Sequence, residues 1–389
     1  MYSGFQEPLY NQPIVIDNGS SVVKAGFSGE DKPKVFEYNI AGKSKYDKVM
    51  HNGLADEAYV GNRAQKHRGI LKLRKPMDRG VIEHWDDMEM LWSHIFEESL
   101  HLNWKLNGLE EYPLLMTEAP LNHIKNRKIM CEVLFEKFNF DALYITIPSV
   151  LSLYASGQTT GCVVDCGEGY CSSTPVYEGF TLKSAIRRID LGGKDLTEQL
   201  QFYIRKTNGI SLFTSSEQEI VRTIKEKAGY IALDYKTEEM EYEEDLSDSK
   251  MAEFVLPDGQ VVSIKKGRYR IPEILFNPSI IHSEYESIST ITSQSINLVD
   301  MDLRQNLRSN IVLSGGSTMF KGFGERFISE MHYLSKDLDS NIRILAPPKR
   351  KYTAWIGGSI FANSFAFKKL LLDKRSWIED PGVISTKFL

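Results

Sequence analysis

Two segments of the chain share one pattern of apolar and polar positions. In 14–29 and in 161–179, an apolar run ends in an aspartate and a glycine, and a second apolar-rich run follows and ends in glycine. Asp17 and Asp165 occupy the matching acidic positions. Short apolar runs joined by a glycine-containing turn are typical of a strand, a tight turn and a returning strand. The repetition predicts two related halves that open alike.

Apolar residues recur at helical spacing in other parts of the chain. The segment 87–100 has this spacing. So has 216–233, which opens with Ser216 and carries Glu219 three positions later, the pattern of a capping box. The apolar stretch 352–367 is shorter than the roughly 20 residues of a membrane span and therefore predicts a buried helix. Strands that alternate with helices indicate an α/β protein.

Three polar stretches predict exposed segments. Residues 42–66 are polar and turn-rich, which predicts a small lobe or a flexible loop, and 101–111 has the composition of a loop. The stretch 237–249 is strongly acidic, and an acidic run is more often a solvated loop than a binding site.

The bulk composition is that of an ordinary globular protein. The 389 residues are 42% hydrophobic and 25% charged, which suggests two or three domains. The formal net charge of −5 gives no reason to expect nucleic acid as a partner. Few cysteines, no basic leader and no span-length apolar run predict an intracellular, reducing compartment without direct membrane insertion.

Three of the four cysteines lie within 161–171 and raise the question of a metal site. Structural zinc sites use four ligands in paired knuckles, and the spacing of these three does not form such pairs. On a strand, Cys162 and Cys166 share one face, where cysteine is readily buried. The pattern favours core cysteines over metal ligands.

The glycines of the second hairpin indicate a phosphate-binding turn. Gly167 and Gly169 flank Glu168 directly after an apolar strand. Glycine lets backbone N–H groups point at a ligand, which is how a phosphate is cradled. Asp165 stands where the strand ends and is suited to hold Mg²⁺ through water.

The first hairpin offers the same chemistry. Asp17 is followed by the turn 19–21, and Lys24 can supply a point charge to phosphate oxygens. A third glycine turn, 313–318, also follows an apolar run and can bring backbone close to a purine or ribose. Either hairpin alone is weak evidence, but two copies predict nucleotide phosphates held between the two halves.

These motifs resemble the actin family over nearly the whole chain. The resemblance is carried by VIDNGSSVVKAGFSG (15–29), RGILKLRKP (68–76), LLMTEAPLN (114–122), VLSLYASGQTTG (150–161), EIVRTIKEKAGYIALD (219–234), NIVLSGGSTMFKGFGERF (310–327) and APPKRKYTAWIGGSI (346–360). Within the family, the FKGFG segment (320–324) and an N-terminus with Glu7 as its only acid before Asp17 resemble the yeast-type centractin branch more than conventional actin.

The resemblance implies the ATPase fold that actin shares with heat-shock-70 chaperones and hexokinase, with two related α/β domains flanking a nucleotide cleft. The first domain would comprise 1–150 and 350–389, with a small lobe at about 39–75. The second would comprise 151–349, with an outer lobe at about 193–285.

The centractin branch implies the function and the partners. The protein would bind ATP and self-assemble into the short filament of dynactin. With dynactin subunits and dynein as partners, it would support dynein-driven transport, nuclear migration and spindle positioning in the cytoplasmic cytoskeleton.

The resemblance also assigns positions in the site. Asp17 and Asp165 would orient the waters of Mg²⁺. The phosphate loops, the ribose and base contacts, and the adenine pocket for ATP or ADP would be formed by Asn18, Gly19, Ser20, Ser21, Lys24, Gly167, Glu168, Gly169, Tyr170, Gly193, Arg222, Lys225, Glu226, Gly315, Gly316, Met319, Phe320 and Lys351. For 222–226 the residues alone favour an exposed, charged helix face.

Several positions depart from the family pattern. Pro148 stands where the family has a glutamine that positions the attacking water, and Ser172 stands where actin has a histidine near the γ-phosphate. Glu168 replaces an aspartate, Ser21 a glycine, and Arg79 the modified histidine of actin. No catalytic residue is predicted, and hydrolysis is expected to be slow or absent, unless backbone groups hold the water instead.

Three other functions stay open at this point. A conventional, dynamic actin-like ATPase is disfavoured by Pro148, by the FKGFG segment and by the missing acidic N-terminus. A sugar kinase of the same fold would need a substrate-binding carboxylate base in the cleft, and the full-length match is to actin. Nuclear chromatin-remodelling relatives usually carry larger insertions.

Overall fold

The structure is a computed structural model that describes residues 11–45, 59–244, 251–335 and 341–388. In chain order, its strands are β1 (Ile14–Asn18), β2 (Val22–Phe27), β3 (Val35–Tyr38), β4 (Ala41–Ser44), β5 (Tyr59–Val60), β6 (Leu71–Arg74), β7 (Met77–Asp78), β8 (Val81–Ile82), β9 (Leu114–Thr117), β10 (Ala142–Thr146), β11 (Gly161–Cys166), β12 (Cys171–Tyr177), β13 (Phe180–Thr181), β14 (Arg187–Ile189), β15 (Ala252–Val255), β16 (Val261–Ile264), β17 (Ile311–Ser314), β18 (Ile344–Leu345) and β19 (Leu372–Asp373).

The helices are α1 (Gly61–Lys66), α2 (Trp85–His94), α3 (Trp104–Asn107), α4 (Ile124–Glu132), α5 (Pro148–Ala155), α6 (Gly193–Asn208), α7 (Ser215–Ala228), α8 (Tyr235–Glu244), α9 (Gly267–Glu273), α10 (Ile288–Asn297), α11 (Met301–Arg308), α12 (Phe323–Leu334), α13 (Thr353–Ala362), α14 (Phe365–Leu370), α15 (Lys374–Glu379) and α16 (Ile384–Lys387). Wider π-helical turns extend α2 over Ile95–Ser99 and α4 over Val133–Lys137. Single 3-10 turns lie at Lys183–Ala185, Pro278–Ile281, Gly316–Met319 and Pro381–Val383.

Two six-stranded sheets repeat one arrangement. The first has the order β19-β10-β9-β1-β2-β3, and the second has the order β13-β12-β11-β17-β18, with β14 also paired to β12. In each sheet an antiparallel hairpin (β1–β2 or β11–β12) adjoins two parallel strands (β9 and β10, or β17 and β18). The prediction of an α/β protein with two hairpins that open related sheets is confirmed.

Each sheet has its own apolar core. Trp92, Phe96 and Phe138 are fully buried in the core of the first sheet, and Phe323 and Phe327 are fully buried in that of the second. Burying one such side chain contributes about 1.5–3 kcal/mol. Each sheet is therefore stabilised by apolar packing against the helices that cover it.

The helices α5 and α13 join the two sheets. α5 contacts β11 and β17 of the second sheet, α13 contacts β1 of the first, and the two helices pack against each other. At their crossing, a Cβ added to Gly357 would lie 1.7 Å from the carbonyl oxygen of Leu151. Only a residue without a side chain allows this approach.

The predicted helix at 216–233 exists, but its limits differ. α7 is capped by Thr214, whose side chain accepts from the N–H of Glu217, so the capping box lies two positions before the predicted one. The Ser216 hydroxyl instead donates to the carbonyl oxygen of Arg68 (2.7 Å). The sequence 214–219 contains three matches to the capping-box pattern, and Gly229 ends the helix early.

Two other predicted segments are corrected. The stretch 237–249 is not simply a loop, because its described part belongs to α8. Glutamate is a good helix former, and Glu239 pairs with Lys266 and Arg270. The stretch 352–367 forms two helices rather than one, with the break at Asn363 and Ser364. In the described ranges, a helix both long enough and apolar enough for a membrane span is not found.

The remaining polar stretches are partly regular. The predicted loop 101–111 contains the short α3. In the predicted small lobe, β4 pairs with β5 and β6, and α1 follows β5. Residues 46–58 of this lobe and 245–249 of the acidic stretch lie outside the described residues.

Candidate functional site

A cavity of about 550 Å³ lies between the two hairpin turns. All the predicted site residues line it except Gly193. The first hairpin contributes 17–21, the second 167–170, and the glycine turn after β17 contributes 314–317. The structure therefore brings together residues that are more than 300 positions apart in the chain.

The first hairpin is fixed by the end of β9. Lys24 Nζ lies 2.6 Å from Asp17 Oδ2, and the Thr117 hydroxyl donates to Asp17 Oδ1 (3.0 Å). The same hydroxyl accepts from the N–H of Asn18 (2.9 Å). These contacts hold the Asp17 carboxylate at the cavity wall and leave Asn18 Oδ1, which is buried, without a hydrogen-bond partner among the described residues.

The two hairpin turns approach each other closely. A Cβ added to Gly169 would lie 2.9 Å from Ser20 Oγ and 3.0 Å from Arg79 Cα. Gly315, with a φ of +90°, would place a Cβ 2.3 Å from the carbonyl oxygen of Cys166. Glycine is required at both positions, and the result is a backbone cradle between the turns.

Two carboxylates face each other across the cradle. Burial, and then the charge of Asp17, raise the pKa of Asp165 to about 6. Among the described residues, no group of three or more His, Cys, Asp or Glu side chains is placed to hold a metal ion. Two carboxylates suit a cation that keeps most of its waters, as Mg²⁺ does, better than a full protein cage.

The second hairpin carries a carboxylate held by cations. Lys75 Nζ lies 3.2 Å from Glu168 Oε1. Burial opposes the ionisation of Glu168, but Lys75, Lys225 and Arg222 outweigh it and lower its pKa. The cavity is thus bordered by several cationic side chains, which is the environment that an anionic ligand needs.

The helix α7 supplies one wall, and its charged residues differ in exposure. Lys225 is buried, and its ammonium donates to the Gly193 carbonyl oxygen (2.5 Å) and to Thr197 Oγ1 (2.8 Å). Burial lowers its pKa. The Glu226 side chain is half exposed. The prediction of an exposed helix face is therefore wrong for Lys225 and agrees with the exposure of Glu226. Gly193 contacts Lys225 but does not line the cavity.

The cavity wall beside the end of α7 is partly apolar. Phe320 is buried, and a Cβ added to Gly229, which ends α7, would lie 2.6 Å from its ring. Met319 and Lys351 line the cavity with exposed side chains. An aromatic ring together with a cation is suited to a purine.

Ion pairs bridge the two sheets beside the cavity. Arg79 binds both carboxylate oxygens of Asp195 (2.6 and 2.7 Å) and donates to the Gly169 carbonyl oxygen (3.1 Å). Lys194 Nζ lies 2.6 Å from Asp78 Oδ1. Bidentate arginine–carboxylate pairs are the strongest of these contacts, so the loop after β7 and the start of α6 are held together.

The positions that depart from the family pattern have distinct places. Pro148 lines the cavity at the first turn of α5, where its missing N–H costs nothing. Ser172 is fully buried and is not among the lining residues. No glutamine or histidine is found among the described residues that line the cavity.

Sequence reasoning missed several lining residues. Thr117 ends β9, Glu118 directly follows it, and Ser314 ends β17. All three lie at the carboxyl ends of parallel strands, which meet at one edge of an open α/β sheet. That rule would have found them once β9 and β17 had been recognised as parallel partners of the hairpins.

The cysteines belong to the core. All four are buried and free of disulfides, and Cys162 Sγ lies 3.2 Å from Ser173 Oγ. Cys162 and Cys166 both pack into the core of the second sheet, as the strand pattern predicted.

Three segments away from the cavity differ in the exposure of their apolar residues. In 277–286, Ile280 is exposed, whereas Ile281 packs against the core. Phe388 is buried with its ring 6.0 Å from that of Tyr144, and Tyr177 is half-buried at the end of β12.

Comparison with known proteins agrees with this geometry. The sequence profile of the Actin family matches residues 9–388. The chain is 54% identical over 372 residues to a protein of Saccharomyces cerevisiae named Centractin, covering 96% of this chain and 95% of that protein. It is 47% identical over 384 residues to a protein of Neurospora crassa named Actin-like protein, covering 98% and 99%. The chain therefore belongs to the actin family, as a centractin-like actin-related protein.

Proposed function

We propose that the protein binds ATP or ADP with Mg²⁺ in this cavity and is a structural subunit of a short, centractin-like filament. The observation that carries the proposal is the cradle of two facing hairpins, each with a carboxylate, in a chain 54% identical to Centractin of S. cerevisiae. Proteins of the actin fold generally bind this ligand. The predicted domain limits stay part of the proposal, as do the contacts between filament subunits that the family resemblance implies for 277–286, Tyr177 and Phe388.

The described residues fit the ligand. Asn18 Oδ1 is a buried acceptor without a partner among the described residues, and a magnesium-bound water or a ribose hydroxyl would satisfy it. The backbone of 19–21 and 167–169 would cradle the phosphates, with Lys24 as point charge. Bound Mg²⁺ would neutralise phosphate charge, and Asp17 and Asp165 would orient its waters.

Hydrolysis in this site is proposed to be slow or absent. A group that orients the attacking water typically contributes about 10²–10⁴-fold in rate. At the cavity wall Pro148 has no polar side chain to do so, and the described lining contains no glutamine or histidine. The ligand would then be a structural link: at roughly 1,000 times its dissociation constant it stabilises the folded state by about 4 kcal/mol.

The proposed cellular role is that of the dynactin filament, with dynactin subunits and dynein as partners, in the cytoplasmic cytoskeleton. It would support dynein-driven transport, nuclear migration and spindle positioning. The alternative is a conventional, dynamic actin-like ATPase.

Purification from the native cells tests this role. The proposal predicts dynactin subunits and a short filament of fixed length among the associated material. Myosin and actin-depolymerising proteins in their place would favour the conventional actin.

A further inference from the structure

A contact between the two sheets lies over the cavity, apart from the ion pairs of Arg79 and Lys194. The guanidinium of Arg222, on α7, donates from Nη1 to Ser21 Oγ (3.1 Å) and from Nη2 to the Tyr38 hydroxyl (3.1 Å). Its carbon Cζ lies 5.2 Å from the centre of the Tyr38 ring. We call this three-residue contact the clasp.

The clasp joins elements of different cores. Ser21 follows the first hairpin turn, and Tyr38 ends β3, where it pairs with Val22 in the first sheet. Val221 and Ile224, on either side of Arg222, are buried in the core of the second sheet. Moving the sheets apart at this edge therefore separates Arg222 from both of its partners.

The clasp lies at an open side of the cavity. Ser21 and Arg222 both line the cavity, and so does Glu226, whose side chain is half exposed one turn later on α7. Arg222 itself is largely buried, with its side chain 16% exposed. A ligand that enters or leaves along this side must pass the guanidinium.

The guanidinium is held in position from its own helix as well. Nε of Arg222 donates to Glu219 Oε1 (3.0 Å), and Glu226 Oε1 lies 3.8 Å from Nη1. These carboxylates keep the side chain charged and oriented toward the first sheet. Hydrogen bonds from a charged donor stabilise such a contact, and so does the stacking of a cation over an aromatic ring.

We propose that the clasp of Ser21, Tyr38 and Arg222 is a latch whose opening limits the rate at which a nucleotide enters and leaves the cavity. This inference rests on the proposed function, because it requires a nucleotide in that cavity. All the clasp contacts are made between protein groups, so the latch must open for entry as well as for exit. Loosening it raises both rates by a similar factor and changes the affinity little.

Tyr38 gives the sharpest test, because it does not line the cavity. Tyr38→Phe removes the acceptor and keeps the ring, and Tyr38→Leu removes both. Binding of a fluorescent etheno-ATP with Mg²⁺ to the full-length protein is followed by stopped flow. Association and dissociation are expected to accelerate by about threefold in Tyr38→Phe and about tenfold in Tyr38→Leu, with the dissociation constant nearly unchanged.

Tyr59→Phe is the matched control. Arg63 lies 5.1 Å above the Tyr59 ring, so this is a similar arginine–tyrosine pair, and neither residue lines the cavity. Its rates are expected to equal those of the wild type.

Three outcomes would overturn the latch. Rates in Tyr38→Phe and Tyr38→Leu equal to the wild type would show that opening is not limiting. Faster dissociation with unchanged association would mean that Tyr38 supports the bound nucleotide and does not gate it. No saturable binding by the wild type would instead refute the proposed function itself, and the latch with it.

Discussion

Pro148 is the single residue on which the proposed lack of hydrolysis depends most. It begins α5 and lines the cavity, so the side chain at this position borders the proposed nucleotide site. A glutamine here would carry an amide able to orient water, whereas proline carries only a ring. The first turn of a helix accepts either residue, because its N–H has no partner within the helix.

Replacing Pro148 tests this directly. Pro148→Gln is expected to accelerate γ-phosphate release by about 10–100-fold in a single-turnover assay, because it supplies one group of the water-orienting kind. Pro148→Ala is the control, since it also removes the ring but adds no polar group, and it should leave the slow rate unchanged. Equal rates in the two variants would show that the missing amide is not the cause.

Residue types at the site were largely predictable, and their hydrogen-bond partners were not. Asp17, Lys24 and the hairpin glycines are close in sequence and belong to short motifs that have one local geometry. The pairing of Arg79 with Asp195 joins residues 116 positions apart. Nothing in either local sequence specifies such a partner, because the packing of the two sheets determines it.

The helices α5 and α13 cross at Gly357, where an added Cβ would lie 1.7 Å from the carbonyl oxygen of Leu151. Gly357→Ala would place a methyl group against the carbonyl oxygen of Leu151, and neither helix can move without shifting a sheet. We expect a loss of about 3 kcal/mol in the free energy of unfolding, measured by denaturant titration.

Gly324→Ala, on α12, is the matched control for that variant. A Cβ there has no atom within 4 Å, and alanine is the better helix former. Its stability should equal or exceed that of the wild type by up to about 1 kcal/mol. A similar loss in both variants would refute the role of the crossing.

An ion pair between β3 and α2 predicts a pH dependence of stability. The carboxylate of Glu37, whose Oε1 lies 3.7 Å from His94 Nε2, and that of Glu98 raise the pKa of His94 against the effect of burial. Because the folded state binds this proton more tightly than the unfolded state, the stabilisation is complete below about pH 6.5 and is lost as the pH rises through the folded-state pKa.

A double-mutant cycle of His94→Gln and Glu37→Gln measures the effect. The coupling energy from thermal unfolding is expected to be larger at about pH 5.5 than at about pH 8.5. Glutamine at position 37 keeps an acceptor for the N–H of Asn62, so that contact is retained. A coupling energy independent of pH would contradict the assignment.

Elements were predictable where one local signal dominated. The two hairpins follow from their apolar runs and glycine turns, and both formed as predicted. The start of α7 was misplaced because 214–219 offers three possible capping boxes and tertiary contacts select one. α8 was missed because the pairing of Glu239 with Lys266 and Arg270, and of Glu243 with Lys266, depends on residues from another part of the chain.

The fold as a unit consists of two similar sheets that are joined at one end of the cavity by α5 and α13 and bridged beside it by ion pairs and the clasp. The repetition of the hairpin in the sequence predicted this pairing of sheets. The bridges could not be predicted, because each depends on the distance between sheets. In the proposed function, the nucleotide adds a further link between the sheets, and slow hydrolysis would keep its γ-phosphate in place.

The nucleotide that remains in the assembled protein therefore tests the central claim most directly. The full-length protein is loaded with MgATP, freed of excess nucleotide, allowed to assemble, and then extracted, and the ATP, ADP and released phosphate are quantified. The proposed function predicts that ATP remains bound with little phosphate released. Filaments that contain ADP, with one phosphate released per subunit, would contradict it and would identify a dynamic, hydrolysing actin.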